Sequence, residues 1–157
     1  MDKNLLRSII AEIERELENI KELRDEMKEI NFQESIIMRR STGSILHDFY
    51  NGAERIFKKI AVEINGGYED SEKWHKALLY KMTMPVKGLR PAILSEELAA
   101  EMDEYLAFRH LFRNSYGFEL KGERINYLAK KFDSVAKQFS REVKKFLDYL
   151  KIELKKK

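Results

Sequence analysis

The sequence predicts an all-α fold: four long helices in an up-down bundle with one short helix. Three observations carry that expectation. Apolar residues recur every three to four positions over long stretches, the period of a helix face. Breakers are scarce, with seven Gly and two Pro among 157 residues. Charged residues make up 36% of the chain, enough to clothe the outer faces of amphipathic helices. The length suits a single domain over residues 1–157 that buries a core without staples.

The first helix is read from Leu5, Ile9, Ile13, Leu17, Ile20, Leu23, Met27 and Ile30, with charges around the rest of its surface. Its heptad-like pattern fits a core-facing bundle helix and also a coiled-coil strand. A second helix begins near Glu34, runs through Ile45, Leu46, Phe49, Ile56, Phe57 and Ile60, and stops at Asn65-Gly66-Gly67. Gly43 and Gly52 inside it mark close helix contact or a kink. Asp70 or Ser71 caps a short third helix carrying Trp74, Leu78, Leu79 and Met82, which ends before Pro85 and the loop at 86–91. Ser95 caps a fourth helix, with Glu96 and Glu97 suited to its positive N-terminal end, and Gly117 is its expected stop, with Phe118 making the usual apolar contact. A fifth helix from about Gly122 carries Ile125, Leu128, Phe132, Val135, Phe139, Val143, Phe146, Leu147 and Leu150 before a lysine-rich tail ending at Lys157.

Composition removes several classes of function. The net charge of +3 arises from 30 basic against 27 acidic residues mixed along the chain, which is no nucleic-acid footprint by itself. The absence of Cys excludes disulfides, cysteine-ligated zinc, iron–sulfur clusters and thiol chemistry, and fits a cytoplasmic protein. The N-terminus is interrupted by charges and no stretch reaches the length of a membrane span, so secretion and insertion are not expected. No phosphate-loop, dinucleotide or nucleophile-elbow pattern occurs, and no cofactor is expected. Glu72 and His75 have the Glu-x-x-His spacing of carboxylate-bridged di-metal bundles, but neither His47 nor His110 supplies the second copy, so no metal is expected.

The chemistry-bearing feature lies in the fourth helix. At about 100° per residue, Leu98, Met102, Tyr105, Leu106, Phe112 and Tyr116 share one broad stripe, and Arg109 falls near its middle. Arg113 follows one turn on, while Asp103, His110 and Asn114 lie on the neighbouring polar flank. A guanidinium on an apolar stripe is costly unless it is paired, reaches water or lines an anion cleft. Two explanations stay open: a salt bridge to a carboxylate on a facing helix such as Asp48, or a phosphate clamp shared with Arg113. His110 is either an acid–base group beside Arg109 or a surface residue near the helix C-terminus; Tyr116 either packs at the helix end or presents its hydroxyl to the site.

The run from Phe108 to Leu120, Phe-Arg-His-Leu-Phe-Arg-Asn-Ser-Tyr-Gly-Phe-Glu-Leu, resembles the signature of HepT-like proteins in the HEPN superfamily. Ser95-Glu96-Glu97-Leu98, Leu46-His47-Asp48-Phe49-Tyr50 and Glu54-Arg55-Ile56-Phe57 are similar to the same subfamily, so the likeness covers most of the chain. The resemblance implies an all-helical HEPN bundle, usually a homodimer. In it an Arg, the polar residue after it and a downstream His form a metal-independent ribonuclease site. It also implies a small nucleotidyltransferase antitoxin as partner, which in some systems adenylylates a Tyr two positions after the His. The arginine maps to Arg109, the polar position to His110 and the modified tyrosine to Tyr116, whereas Asn114 occupies the histidine position.

Asn114 cannot exchange a proton near neutral pH, and cleavage at a ribose 2′-hydroxyl needs a base and an acid. His110 would have to supply the missing function, and a dimer that brings two copies of Arg109 and His110 together would supply both roles. The expectation is therefore a HepT-like toxin that cleaves RNA, with Arg109, His110 and Asn114 at the catalytic positions and Arg109 and Arg113 on the phosphate. The competing expectation is a non-catalytic dimeric module that binds a nucleotidyltransferase partner or nucleotides. A third is a purely structural Arg109.

Overall fold

The computed structural model describes residues 1–30, 35–69, 71 and 73–156. Five helices follow in order: α1 (Lys3–Glu29), α2 (Ile36–Glu63), α3 (Trp74–Lys81), α4 (Glu96–Arg113) and α5 (Gly122–Lys155), with a 3-10 turn at Gly117–Glu119. No strand occurs among the described residues, and no described helix is long and apolar enough to cross a membrane. The all-α bundle expected from the apolar spacing is the fold observed.

α2 is the hub, in contact with α1, α3, α4 and α5. Its mean hydropathy is near neutral and it buries residues around more than half its circumference, as a central helix must. α1 presents only one stripe, Leu6, Ile9, Ile10, Ile13, Leu17, Ile20 and Met27, to α2 and α5. Burying each such side chain contributes about 1.5–3 kcal/mol. The centre is aromatic: Phe49 meets Tyr105, Phe132 and Phe139 edge to face at 5.4, 5.1 and 5.9 Å. The Tyr105 hydroxyl donates to the Leu128 carbonyl at 2.8 Å, so α4 is tied to α5 by a satisfied polar atom within the core.

Helix ends follow side-chain chemistry. Asp2 accepts from the first amides of α1, Ser35 from Met38 N at the start of α2, and Ser95 from Leu98 N at the start of α4. Glu142 of α5 accepts from both the amide and the hydroxyl of Ser95, which fixes where α4 begins. Glu34, Asp70, Glu72 and Lys157 lie outside the described residues. Ser71 does not cap α3 with its side chain; its carbonyl accepts from Trp74 N at 3.1 Å, so a main-chain turn opens that helix instead.

Two expectations need correction. α4 ends at Arg113, one turn before Gly117, with Asn114 as its C-cap. Gly117 opens the 3-10 turn, closed by Glu119 N to Tyr116 O at 2.9 Å and by the Glu119 carboxylate accepting from Tyr116 N at 2.8 Å. The Arg40 side chain from α2 lies against Gly117 where a Cβ would be, so a larger residue there would have to displace that exposed arginine. Of the two helical glycines, Gly43 does mark close contact: a Cβ would stand 2.9 Å from the Phe112 ring of α4. At Gly52 it would meet ordinary contact distances.

Candidate functional site

α2 carries His47, Tyr50, Asn51 and Glu54 at the i, i+3, i+4, i+7 spacing that places them on one helix face. That face meets α4 at Arg109, which is only 4% exposed, as is Glu54. Arg109 Nη1 donates to Asn51 Oδ1 at 3.0 Å and to Glu54 Oε1 at 3.1 Å, and Nη2 donates to Glu54 Oε2 at 3.3 Å. The guanidinium also lies over the Tyr50 ring, 5.1 Å from its centroid. A planar donor fork opposite a buried carboxylate is the geometry that makes such burial tolerable.

The third helix closes the group. His75 Nδ1 stands 2.7 Å from Glu54 Oε2 and 2.8 Å from Arg109 Nη2. Its ring stacks on Trp74 at 3.6 Å, and Trp74 is in turn covered by Lys58 at 4.6 Å and flanked by Tyr68 at 5.2 Å. Contact with Glu54 sets where Nδ1 points, and the indole sets the ring plane. Toward the other end of the α2 face, His47 lies against Phe112 at 5.2 Å, with Nδ1 3.3 Å from Asn51 Nδ2. Desolvation is the main cause that lowers the His47 pKa; Arg109 and Arg113 act in the same direction and Asp48 opposes them. Burial, reinforced by the charge of Glu54, pushes the Tyr50 phenol up.

Outside this buried group a cleft of about 410 Å³ opens between α3 and α4. Lys73, His75 and Lys76 line it from the α3 side, and Asp103, Arg109, His110 and Arg113 from α4. Asp103 is the only acidic residue of the described lining, and it is already engaged by Lys76 at 3.3 Å and by the Tyr80 hydroxyl at 3.2 Å. With Arg109 balanced by Glu54, the uncompensated positive charge of the lining comes from Lys73 and Arg113, and two imidazoles border the same space.

A family model described as HepT-like protein matches residues 41–150. The chain belongs to the HepT-like family. The matched segment takes in all the helical residues just described, and leaves α1 and the first turn of α2 outside it. Neither the comparison with curated proteins nor that with solved structures finds a match.

Within this HepT-like chain the fold brings Arg109, His110 and Arg113 to one cleft and separates them from the other two candidates. Asn114 is exposed at the end of α4, where its Nδ2 donates to the His110 carbonyl at 2.8 Å. Tyr116 lies beyond the helix, 70% exposed, and stacks flat on Phe118 with ring centroids 5.3 Å apart, instead of packing at the helix end. The counter-ion of Arg109 is Glu54, not Asp48. Asp48 sits about 120° round α2 from Glu54, with its side chain 56% exposed beside His47 at 3.6 Å. Sequence reasoning missed Asn51, Glu54 and His75 as members of the group. The signal for the first two was the polar run His47, Tyr50, Asn51, Glu54 at helical spacing inside an apolar helix.

Proposed function

We propose that this HepT-like chain is a metal-independent endoribonuclease, the toxin of a toxin–antitoxin pair, and that RNA phosphodiesters enter the cleft between α3 and α4. The observation that carries this reading is the convergence of Arg109, His110 and Arg113 on one basic cleft. Arg113, exposed at the mouth, makes the direct phosphate contact, and Arg109, paired with Glu54, stands behind it in the wall of the cleft, where a phosphate can share its donor fork. His110, exposed on the same lining, exchanges a proton with the ribose or the leaving oxygen. Asn114 takes no proton; its part is to close the helix end on which His110 and Arg113 stand.

The working form in this reading is a cytoplasmic homodimer, with a small nucleotidyltransferase as antitoxin. The exposed hydroxyl of Tyr116 is open to such an enzyme, and adenylylation there adds a bulky anion near the basic helix end. A mass gain at Tyr116 on co-expression with a neighbouring nucleotidyltransferase would support the pairing, and absence of both complex and modification would count against it.

The ribonuclease reading is tested with purified chain and single-stranded or transfer RNA in EDTA. Fragments ending in 2′,3′-cyclic phosphate and 5′-hydroxyl are expected. Arg113→Ala should leave stability within about 0.5 kcal/mol, weaken RNA binding about tenfold and flatten its salt dependence by about one charge. RNA left intact after prolonged incubation would sink the enzyme and leave a non-catalytic module for a nucleotidyltransferase or nucleotides, the reading that the fully paired state of Arg109 favours.

A further inference from the structure

Transesterification of RNA needs two proton-transfer groups, and α4 offers only His110. We propose that His75 is the second, a catalytic imidazole oriented by Glu54 and presented to the same cleft from α3. The inference rests on the ribonuclease reading above and identifies a further catalytic residue within it.

The tautomer of His75 follows from its neighbours. Glu54 Oε2 at 2.7 Å can only accept, and Arg109 Nη2 at 2.8 Å can only donate. A bare Nδ1 would set its lone pair against a carboxylate oxygen. A protonated Nδ1 donates to Glu54 and faces the Arg109 Nη2 donor at 2.8 Å, but Nη2 can direct a hydrogen to Glu54 Oε2 at 3.3 Å, whereas the carboxylate has no hydrogen to offer a bare Nδ1. The proton is therefore assigned to Nδ1. Nε2, on the opposite edge of the ring, keeps its lone pair and has no hydrogen-bond partner among the described residues. Its residue is part of the cleft lining.

The ring is held more firmly than a surface histidine would need. Its plane is fixed by Trp74, its rotation by Glu54, and Glu54 in turn by the fork of Arg109. This is a base–orienter arrangement, with Glu54 and Arg109 as positioning residues and Nε2 as the reacting atom. It also explains why Glu54 is buried on α2: both of its oxygens are used, Oε1 by Arg109 with Lys58 at 3.9 Å, and Oε2 by Arg109 and His75. The titratable and charged groups around His75 are Glu54 and Lys58 from α2, Asp103, Arg109, His110 and Arg113 from α4, and Lys73 and Lys76 on its own segment.

The proposed step balances without a metal. His75 Nε2 takes the proton of the ribose 2′-hydroxyl as O2′ forms a bond to phosphorus. The bond from phosphorus to O5′ breaks, and O5′ receives a proton from protonated His110. The products are a 2′,3′-cyclic phosphate and a free 5′-hydroxyl, and a proton has passed from one imidazole to the other. Asn114 needs no part in it.

The test compares the wild-type chain with His75→Asn on RNA in EDTA. Asparagine can keep an N–H close to the Nδ1 position for Glu54 and removes Nε2. Cleavage should fall about 100-fold or more, binding of an uncleavable 2′-deoxy oligonucleotide should stay within about threefold, and the limb of the pH–rate profile that reports the base should disappear. Added imidazole should restore part of the rate to His75→Ala. If the wild type cuts RNA and His75→Asn cuts it within about threefold with the same pH profile, His75 is excluded and the ribonuclease reading stands. If the wild type leaves RNA intact, both fall together. Should neither variant fold, nitrogen-15 spectra of the wild type decide: Nδ1–H with an Nε2 signal that moves on adding the 2′-deoxy oligonucleotide is expected, and an Nε2–H tautomer overturns the assignment.

Discussion

Two arginines, Arg90 and Arg109, are buried to the same 4% exposure, yet they sit among opposite kinds of partner. Arg90 lies in the connection between α3 and α4, where Val86 and Arg90 pair main chain to main chain and Gly88 turns with φ at +77°. Its Nε donates to Asn65 Oδ1, its Nη1 to the carbonyls of Met84 and Pro91, and its Nη2 to the carbonyl of Lys81. Every one of those acceptors is neutral, and burial accordingly pulls the Arg90 guanidinium below its ordinary range. Arg109 is met by a carboxylate, an amide and an imidazole, all side chains, and it borders a cleft. Carbonyls cannot change protonation or be rearranged without moving the chain, so Arg90 is a staple for the connection. Side chains that titrate can be poised, so Arg109 is suited to hold a site.

The sharpest way to break that comparison is Arg109→Ala. It leaves the buried Glu54 carboxylate without its counter-ion and should cost about 3–5 kcal/mol in urea unfolding. The double variant Glu54→Leu with Arg109→Met should recover most of that loss, since a well-packed apolar pair often replaces a buried ion pair without penalty, while RNA cleavage stays abolished. Recovery of cleavage with stability would show Arg109 to be packing and nothing more.

Arg90→Ala is the converse experiment. It strands several buried carbonyls and should cost about 2–3 kcal/mol, with cleavage per folded molecule unchanged. A drop in the rate of folded protein would join the connection to the site and erase the contrast.

The smallest effect is electrostatic and is read at His47. Its folded pKa lies below its unfolded value near about 6.5, so the unfolded chain binds the proton more readily. The stability this histidine contributes is present above the unfolded value and lost as pH falls through the folded one. Because Arg109 and Arg113 add to the lowering, the NMR titration of His47 should move up in the Arg109→Met, Glu54→Leu double variant relative to Glu54→Leu alone, and stay in place in Arg90→Ala. Equal responses to the two arginines would mean that distance to the charge is not what sets the shift.

The long helices were legible because α1 and α5 each have a single dominant apolar stripe, and Arg109 stood out by falling among the apolar positions of α4. The end of α4 was misplaced for a local reason. Gly117 has the residue type of a helix stop, but it opens the 3-10 turn against the Arg40 side chain, a contact made across 77 positions that no window shows. Glu54 was half legible: its spacing from His47, Tyr50 and Asn51 identifies the face, while the choice between Asp48 and Glu54 depends on how α2 is rotated toward α4. His75 was not legible at all. α3 is eight residues long with a weak apolar pattern, and nothing within it states that its first turn lies against α2 and α4. The Glu-x-x-His spacing pairs His75 in sequence with Glu72, whereas its partner in the fold is Glu54, 21 positions earlier.

The stack of His75 on Trp74 gives the molecule an optical gauge. Trp74 is the chain's only tryptophan, and indole emission is quenched when a neighbouring imidazole gains a proton. Every photon the protein emits at tryptophan wavelengths therefore originates 3.6 Å from the ring proposed to carry the proton, and no label is needed to watch that ring change state.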